Sequence, residues 1–283
     1  MGTMNVTGTI VEVRGHVAAA RARGRSVHLV PTMGALHGGH LSLVRAARGQ
    51  DRFVVVSIFV NPTQFSPGED FAKYPRPVEE DLAICRDSGV DLVFLPSVDE
   101  MYPPGSCTTV HVAGLTEPLC GAHRPGHFDG VATVVAKLFN IVQPDAAYFG
   151  QKDAQQAIVI RRMVTDLDIP VRIVVCPTVR EPDGLAMSSR NAYLSPEERR
   201  QARCLHEALR LGESLIRRGE RRSASVIAAM RKHVVAAGPC GIDYIEAVDP
   251  ESLRPVAVID RPVLLALAVR IGSTRLIDNV LVD

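Results

Sequence analysis

The sequence carries little net charge and has no long apolar segment. It contains 32 basic and 31 acidic side chains, which leave a formal net charge of +1. This balance argues against a protein that binds polyanions over its whole surface, although it allows a local anion site. No apolar run reaches the roughly 18 residues of a membrane-spanning helix, and residues 1–15 lack the basic start and apolar block of a signal peptide. We therefore expect a globular protein located in the cytoplasm.

The short motifs of several common protein classes are also missing. The six cysteines are scattered and form no C-x-x-C pair, so they are expected to be reduced, packed thiols. No G-x-G-x-x-G follows an apolar strand, which excludes a typical dinucleotide-dependent dehydrogenase. The H-E-x-x-H motif of zinc peptidases is absent as well.

Short apolar runs alternate with helical patterns over the first 180 residues. The runs are too continuous for strands that expose one face to solvent. They lie at 27–30, 53–60, 90–95, 146–149 and 171–175. The helical patterns between them lie at 41–48, 78–88, 131–142 and 154–167. This alternation predicts a Rossmann-like, doubly wound α/β fold with a parallel sheet. Ligands of such folds bind beyond the carboxyl ends of the strands.

The pattern changes after about residue 180. "SPEER" predicts a capped helix that begins after Ser195 and continues to about residue 218, and a second helix is predicted over 224–236. "IDYIEAVD", "VLLALAVRI" and "RLIDNVLVD" then indicate strands separated by turns. We predict two domains, a Rossmann-like domain over 1–180 and a smaller α+β domain over 181–283.

Two histidines, His37 and His40, stand in "LVPTMGALHGGH", between an apolar strand and a helical pattern. Residues three apart share one face of a helix, and a helix N-terminus attracts anions. Glycines beside the histidines allow the backbone to approach a phosphate closely. The pattern fits a site for nucleotide phosphates, but a solvent-facing histidine pair is an equal alternative for these four residues alone.

A metal site is a further alternative, because "HRPGH" supplies a second pair, His123 and His127. Zinc accepts imidazole ligands of this kind. Neither pair carries the glutamate of the zinc peptidase motif, which weighs against this interpretation.

Polar side chains follow two further strands. Asn61 and Gln64 come after "SIFV", where amides could hold a small polar substrate, although an ordinary capped turn would look the same. Lys152, Asp153 and Gln156 follow "AAYF", where a lysine could reach a phosphate, although a solvated helix start is the commoner cause.

A polar loop, "DGLAMSSRNAYLS", lies near the predicted domain boundary. Ser188, Ser189 and Arg190 supply hydroxyl and guanidinium donors that match a phosphate. A loop of this kind could close over a ligand, and a plain linker is the alternative.

Taken in order, these stretches resemble the pantothenate synthetases, a family of the nucleotidylyltransferase superfamily. The resemblance runs from "LVPTMGALHGGH" through "SIFVNPTQF", "RPGHFDGV", "FGQKDAQQ" and "GLAMSSRN" to "RLIDN". It implies an ATP- and Mg²⁺-dependent condensation of pantoate with β-alanine through a pantoyl adenylate. It also implies a homodimer and a C-terminal unit that acts as a lid. Another adenylyl-transferring enzyme of the superfamily, with a different acid substrate, is the nearest alternative.

The resemblance also assigns roles to individual residues. The residues expected to act on the ATP phosphates are His37, His40, Lys152, Ser188, Ser189 and Arg190. Further contacts to ATP are expected from Met33, Gly150, Asp153 and Val179. Pantoate and β-alanine are expected at Gln64, Gln156, Asn61, Arg124 and His127. Asp81 matches an acidic position near the metal, which it would reach mostly through water.

Overall fold

A computed structural model describes residues 4–283 of the chain. Its larger sheet contains six strands, β1 (Asn5–Thr7), β2 (Ser26–Thr32), β3 (Arg52–Ile58), β4 (Leu92–Phe94), β5 (Ala146–Gly150) and β6 (Arg172–Cys176). All neighbouring strands are parallel, in the order β1-β4-β3-β2-β5-β6. The chain moves outward from β2 to β3 and β4, then returns to place β5 on the other side of β2. The switch point therefore lies between β2 and β5, and the predicted doubly wound fold is confirmed.

Helices cover both faces of this sheet. They are α1 (Ile10–Ala22), α2 (Gly38–Ala47), α3 (Val78–Asp87), α4 (Val98–Met101), α5 (Cys120–His123), α6 (His127–Val142) and α7 (Ala154–Asp166). One apolar cluster joins the sheet to α1, α6 and α7, and another joins it to α2 and α3. Successive side chains of β2 pack in clusters on opposite faces of the sheet. Leu29 belongs to the first cluster and Val30 to the second. This alternation explains why the strands read as continuous apolar runs.

The remaining chain forms three helices and a second, antiparallel sheet. The elements are α8 (Pro196–Ala202), α9 (Cys204–Arg217), α10 (Ser223–Ala236), β7 (Gly241–Val248), β8 (Val263–Ile271) and β9 (Thr274–Val282). Ser195 and Glu198 form the expected capping box. The prediction of one helix to about residue 218 is wrong, because a turn at Arg203 separates α8 from α9. Ala202 of α8 and Leu205 of α9 pack in the same apolar cluster.

The second sheet packs on both of its faces. Leu264 and Ala266 of β8 join the cluster of α6 and α7, whereas Leu265 and Leu267 join the cluster of α9 and α10. The apolar core thus crosses the predicted division at residue 180, which stays a prediction. Within residues 4–283, every helix is too short or too polar to cross a lipid bilayer.

Candidate functional site

A cavity of about 910 Å³ lies at the carboxyl ends of the parallel strands, beneath the second sheet. Its walls come from the loops after β2, β3 and β5, the N-terminal part of α6, and the loop before α8. The structure brings all the predicted site residues except Asp81 to this cavity: Met33, His37, His40, Asn61, Gln64, Arg124, His127, Gly150, Lys152, Asp153, Gln156, Val179, Ser188, Ser189 and Arg190. Their individual roles remain predictions.

The histidine pair caps the helix that it precedes. His37 is the N-cap of α2, and its Nδ1 accepts a hydrogen bond from Gly39 N at 3.1 Å. The Nδ1 atom of His40 accepts one from His37 N at 3.3 Å. A neutral imidazole that accepts at Nδ1 carries its proton at Nε2. These contacts therefore assign an Nε2–H donor to each ring.

Burial keeps both imidazoles neutral. Loss of hydration lowers the pKa of His40 to about 3, and the neighbouring His37 adds to the effect. Burial also lowers the pKa of His37, to which the charge of Lys152 contributes. The ring centroids lie 4.1 Å apart. Two neutral N–H donors are thus placed side by side at the positive end of a helix, an arrangement that suits anion binding.

Asp81 supports the loop that leads to this pair. Its carboxylate accepts hydrogen bonds from Ala35 N at 2.8 Å and Leu36 N at 2.7 Å. Gly34 has a φ of 80°, and a Cβ at this position would lie 2.8 Å from Asp81 Oδ2. Burial raises the pKa of Asp81, although the two amides act in the opposite direction. Both oxygens thus bind the backbone, and Asp81 does not line the cavity. Its expected water-mediated position near the metal stays a prediction.

Asn61 positions Gln64 at the end of β3. The Asn61 side chain is buried, caps the 3₁₀ turn Pro62–Gln64, and donates to Gln64 Oε1 and to Gly130 O, each at 3.1 Å. Tyr102 donates to Asn61 Oδ1 at 2.9 Å. The hydrogen-bonding groups of Asn61 are therefore engaged within the protein. Gln64 Nε2 instead contacts the sulfur of Met33 at 2.9 Å, a weak acceptor that a polar ligand could replace.

Arg124 and His127 hold the backbone of the same turn. His127 Nδ1 lies 2.8 Å from Gln64 O, to which it donates, and its Nε2 lies 3.0 Å from Arg124 Nη1. Burial and the guanidinium lower the pKa of His127 to about 4. Arg124 also forms a two-point ion pair with Glu69, at 2.6 and 2.7 Å. Burial alone would raise the pKa of Glu69, but the ion pair outweighs burial and lowers it.

Lys152 enters the cavity from the 3₁₀ turn Gln151–Asp153, between β5 and α7. Its ammonium lies 3.6 Å from Asp153 Oδ1, and the carboxyl side chain is 45% exposed. Exposed pairs of this kind contribute little stability, so Lys152 can exchange this contact for one with an anion. Gln156 projects from the first turn of α7 into the same cavity.

The loop before α8 is held to the segment between β3 and α3. Ser188 caps the 3₁₀ helix Ser189–Tyr193, and its hydroxyl accepts from Arg190 N at 3.3 Å. Arg190 binds Asp70 through two contacts of 3.0 and 2.9 Å. Burial alone would raise the pKa of Asp70, but this ion pair lowers it. Glu69 and Asp70 are thus adjacent site residues that the sequence analysis missed, because their partners are 55 and 120 positions away.

The structure also tests the alternative that the two histidine pairs form a metal site. Within residues 4–283, no group of three or more His, Cys, Asp or Glu side chains is arranged to hold a metal ion. His123 lies against the ring of Tyr244, with centroids 6.1 Å apart. The Nδ1 atoms of His37, His40 and His127 are all engaged with the backbone. This arrangement favours the anion site over the metal site.

Comparison with known proteins gives consistent matches over nearly the whole chain. The family model described as pantoate-beta-alanine ligase matches residues 5–281. The pantothenate synthetase of Moorella thermoacetica is 61% identical over 280 residues, which are 99% of each chain. A crystal structure of pantothenate synthetase from Thermus thermophilus superposes with a TM-score of 0.93 at 48% identity, covering 98% of this chain and 99% of that one.

A second similar structure contains bound ligands. It is the pantoate-beta-alanine ligase from Francisella tularensis in complex with beta-gamma ATP and beta-alanine. The TM-score is 0.81 at 34% identity, and the match covers 99% of this chain and 98% of that one.

Proposed function

The chain belongs to the pantoate–β-alanine ligase family, and from this premise we propose how its cavity carries out the reaction. The enzyme condenses pantoate with β-alanine to form pantothenate, with ATP as co-substrate and a pantoyl adenylate as intermediate. One observation carries the proposed mechanism. Neutral imidazole, ammonium and hydroxyl donors from three elements line one cavity, together with the amide side chains of Gln64 and Gln156.

In the first step, a carboxylate oxygen of pantoate attacks the α-phosphorus of ATP. The bond from this phosphorus to the β-phosphate oxygen breaks, and pyrophosphate leaves. His37 and His40 donate from Nε2 to the phosphate oxygens, and Lys152 supplies a positive charge beside them. Donors fixed before the reaction stabilise the charge that develops in the transition state. No protein nucleophile is required, since pantoate itself attacks.

Pantoate lies beside the amide side chains that line the cavity. Gln64 and Gln156 bind its polar groups, and Met33 lines the same pocket. Three further residues act on the substrate indirectly, because their contacts hold the side chain or the backbone of Gln64. They are Asn61, Arg124 and His127. Their predicted binding roles are therefore carried out through Gln64.

The nucleotide lies between the strand ends and the loop before α8. Gly150, Asp153 and Val179 surround the ribose and adenine. Ser188 and Ser189 add hydroxyl donors at the phosphates, and Arg190 joins them by releasing Asp70 in part or completely. This exchange replaces one two-point ion pair with contacts of the same type to phosphate.

In the second step, the uncharged amine of β-alanine attacks the acyl carbon of the adenylate. The new C–N bond replaces the bond to the phosphate oxygen, AMP leaves, and the nitrogen loses a proton. The adenylate is a reactive acyl phosphate, so exclusion of water from the closed cavity protects it from hydrolysis.

The binding of Mg²⁺ remains a prediction. The acidic side chains near the cavity do not fit as direct ligands of the ion. Asp81 binds backbone amides, Glu69 binds Arg124 and Asp70 binds Arg190. Magnesium commonly reaches such sites on the phosphates of its nucleotide and retains several waters. We derive no step of the reaction through it.

We propose a cytoplasmic homodimer. Strand β1 lies at one edge of the parallel sheet, and exposed valines occur on it and on the neighbouring helices, at Val6, Val11 and Val98. An exposed edge with apolar side chains favours pairing with another chain. Light scattering of the purified protein tests this proposal, and a mass of 30.6 kDa, that of one chain, would contradict it.

Pantoate-dependent exchange of pyrophosphate into ATP, with no amine present, tests the proposed reaction. We expect exchange only with pantoate, and AMP release only after β-alanine is added. Exchange supported by a different acid, with none for pantoate, would establish the alternative adenylyl-transferring enzyme. Absence of exchange with any acid would contradict the adenylate mechanism.

A further inference from the structure

One asparagine of the second sheet holds the backbone that carries Lys152. Asn279 lies on β9, and its side chain is buried. Its Nδ2 donates to Gln151 O and to Lys152 O, each at 2.9 Å. Its Oδ1 accepts from Gln151 Nε2, also at 2.9 Å. The amide thus makes three hydrogen bonds to two consecutive residues that are more than 120 positions away in the sequence.

The turn that Asn279 contacts has little local support. The 3₁₀ turn Gln151–Asp153 has no side-chain cap, and α7 begins after it without one. Short 3₁₀ segments have poorer hydrogen-bond geometry than α-helices. The backbone direction at Lys152 is therefore set to a large extent by Asn279, from the other sheet.

The residue before Asn279 holds the segment that leads to Ser188. Asp278 is 2% exposed and binds Arg180 through two contacts, at 2.6 and 3.1 Å. Arg180 also donates to Gly184 O at 3.1 Å, in the loop that leads to Ser188. Consecutive residues of a strand point to opposite faces, so β9 supports the lysine turn with one residue and the loop with the next.

We propose that Asn279 is a positioning residue, which sets the backbone at Lys152 so that its ammonium meets the phosphates of ATP. The proposal rests on the proposed function. Only a primary amide fits the observed contacts, because two carbonyl oxygens require two N–H donors, while Gln151 Nε2 requires an acceptor. An aspartate at this position would have the same shape but would place a negative charge against both carbonyls.

The first test compares two substitutions on opposite sides of the same contact. Asn279→Asp removes both bonds to the carbonyls, whereas Gln151→Ala removes only the bond to Asn279 Oδ1. Small displacements of a reacting group cost up to about 10²-fold in rate. We expect Asn279→Asp to lower kcat for pantoate-dependent exchange by about 10- to 100-fold, with the KM for pantoate unchanged. Gln151→Ala is expected to stay within about threefold of the wild type.

A double-substitution cycle separates positioning from a general loss of structure. If Asn279 acts through Lys152, then Asn279→Asp in a Lys152→Ala background lowers the residual exchange by less than about twofold. An equal loss in both backgrounds would overturn the proposal, and so would exchange by Asn279→Asp at the wild-type rate. A wild type without pantoate-dependent exchange would contradict the proposed function instead, so the two failures are distinguishable.

The midpoint of thermal unfolding is measured for each variant beside its exchange rate. If Asn279→Asp is unfolded at the assay temperature, Asn279→Ala takes its place, since it removes the same donors without adding a charge. We expect Asn279→Ala to lower kcat for exchange by about 10-fold or more while it remains folded. Exchange by Asn279→Ala at the wild-type rate would overturn the proposal.

Discussion

The imidazoles of His37 and His40 each use one ring nitrogen for the fold and leave the other for the ligand. Serine or aspartate at these positions would also cap α2, but neither would then present a fixed N–H donor to an anion. Imidazole does both, because acceptance at Nδ1 places the proton at Nε2. The capping contacts therefore preorganise the donors before ATP binds.

This arrangement predicts the protonation state of His40. Since burial lowers its pKa to about 3, His40 is expected to stay neutral, with its proton at Nε2, from pH 8 to pH 5. Histidine nitrogen NMR measures the tautomer and the titration directly, with His40→Gln for assignment. The exposed His111 is an internal control, because its hydrogen bond to Asp129 raises its pKa. A titration of His40 near its ordinary pKa of about 6.5 would contradict the prediction.

Lys152 is the cationic group nearest to the histidine pair in the proposed mechanism. Replacing one preorganised donor to a developing charge typically lowers the rate by about 10² to 10³. We expect Lys152→Ala to slow pantoate-dependent exchange by at least that factor. Lys232→Ala, on the exposed face of α10, is the matched control and should leave exchange unchanged. Near-wild-type exchange in Lys152→Ala would show that the lysine has another role.

At the scale of elements, the position of the Gln64 turn depends on its contact with α6. Gly130 is the fourth residue of α6, and a Cβ at this position would clash with Thr63 O and lie 2.7 Å from Gln64 N. Gly130 O also accepts the hydrogen bond from Asn61 that orients the turn. The absence of a side chain at Gly130 therefore allows the turn to lie directly on the helix.

Gly130→Ala is expected to displace this turn. We expect a higher KM for pantoate, a KM for ATP that changes less, and a stability loss of about 1–3 kcal/mol from overpacking. Steady-state kinetics and denaturant unfolding measure these changes. Gly15→Ala, in α1 with open space around its Cβ position, is the control and should raise stability by up to about 1 kcal/mol. An unchanged KM for pantoate in Gly130→Ala would show that the turn does not depend on this contact.

The elements also show what the sequence could and could not predict. Five of the six parallel strands, β2 to β6, were predictable because burial on both faces produces continuous apolar runs, and polar residues at their ends then fall at one edge of the sheet. Strand β1 was missed, because only its last residue is buried. Helix α1 was missed, because apolar residues such as Val11 also lie on its exposed face and obscure the repeat of the buried Val13, Val17 and Ala20. The contact of Asp81 with the loop after β2 could not be predicted, because the sequence does not reveal that its carboxylate meets amides 45 and 46 positions away.

At the scale of the whole molecule, the two sheets share one apolar core. The face of β8 that includes Leu264 packs with α6 and α7 beneath it, while the opposite face packs with α9 and α10. Separation of the sheets would expose the first of these faces to water, at roughly 25 cal/mol for each Å² of apolar surface. The second sheet is therefore expected to unfold together with the first, despite the change of sequence pattern near residue 180.

Cooperative unfolding can be tested with one substitution in each sheet. Val55 and Leu267 are fully buried, Val55 in the parallel sheet and Leu267 in the cluster of α9 and α10. We expect a single calorimetric transition, with Val55→Ala and Leu267→Ala each lowering its midpoint, and Leu267→Ala costing about 2–5 kcal/mol. Both variants should also show coincident loss of far- and near-ultraviolet circular dichroism. If Leu267→Ala instead split the transition and left the parallel sheet at its wild-type midpoint, the two sheets would be independent units, and the contact between Asn279 and the Lys152 turn would join separately folding parts.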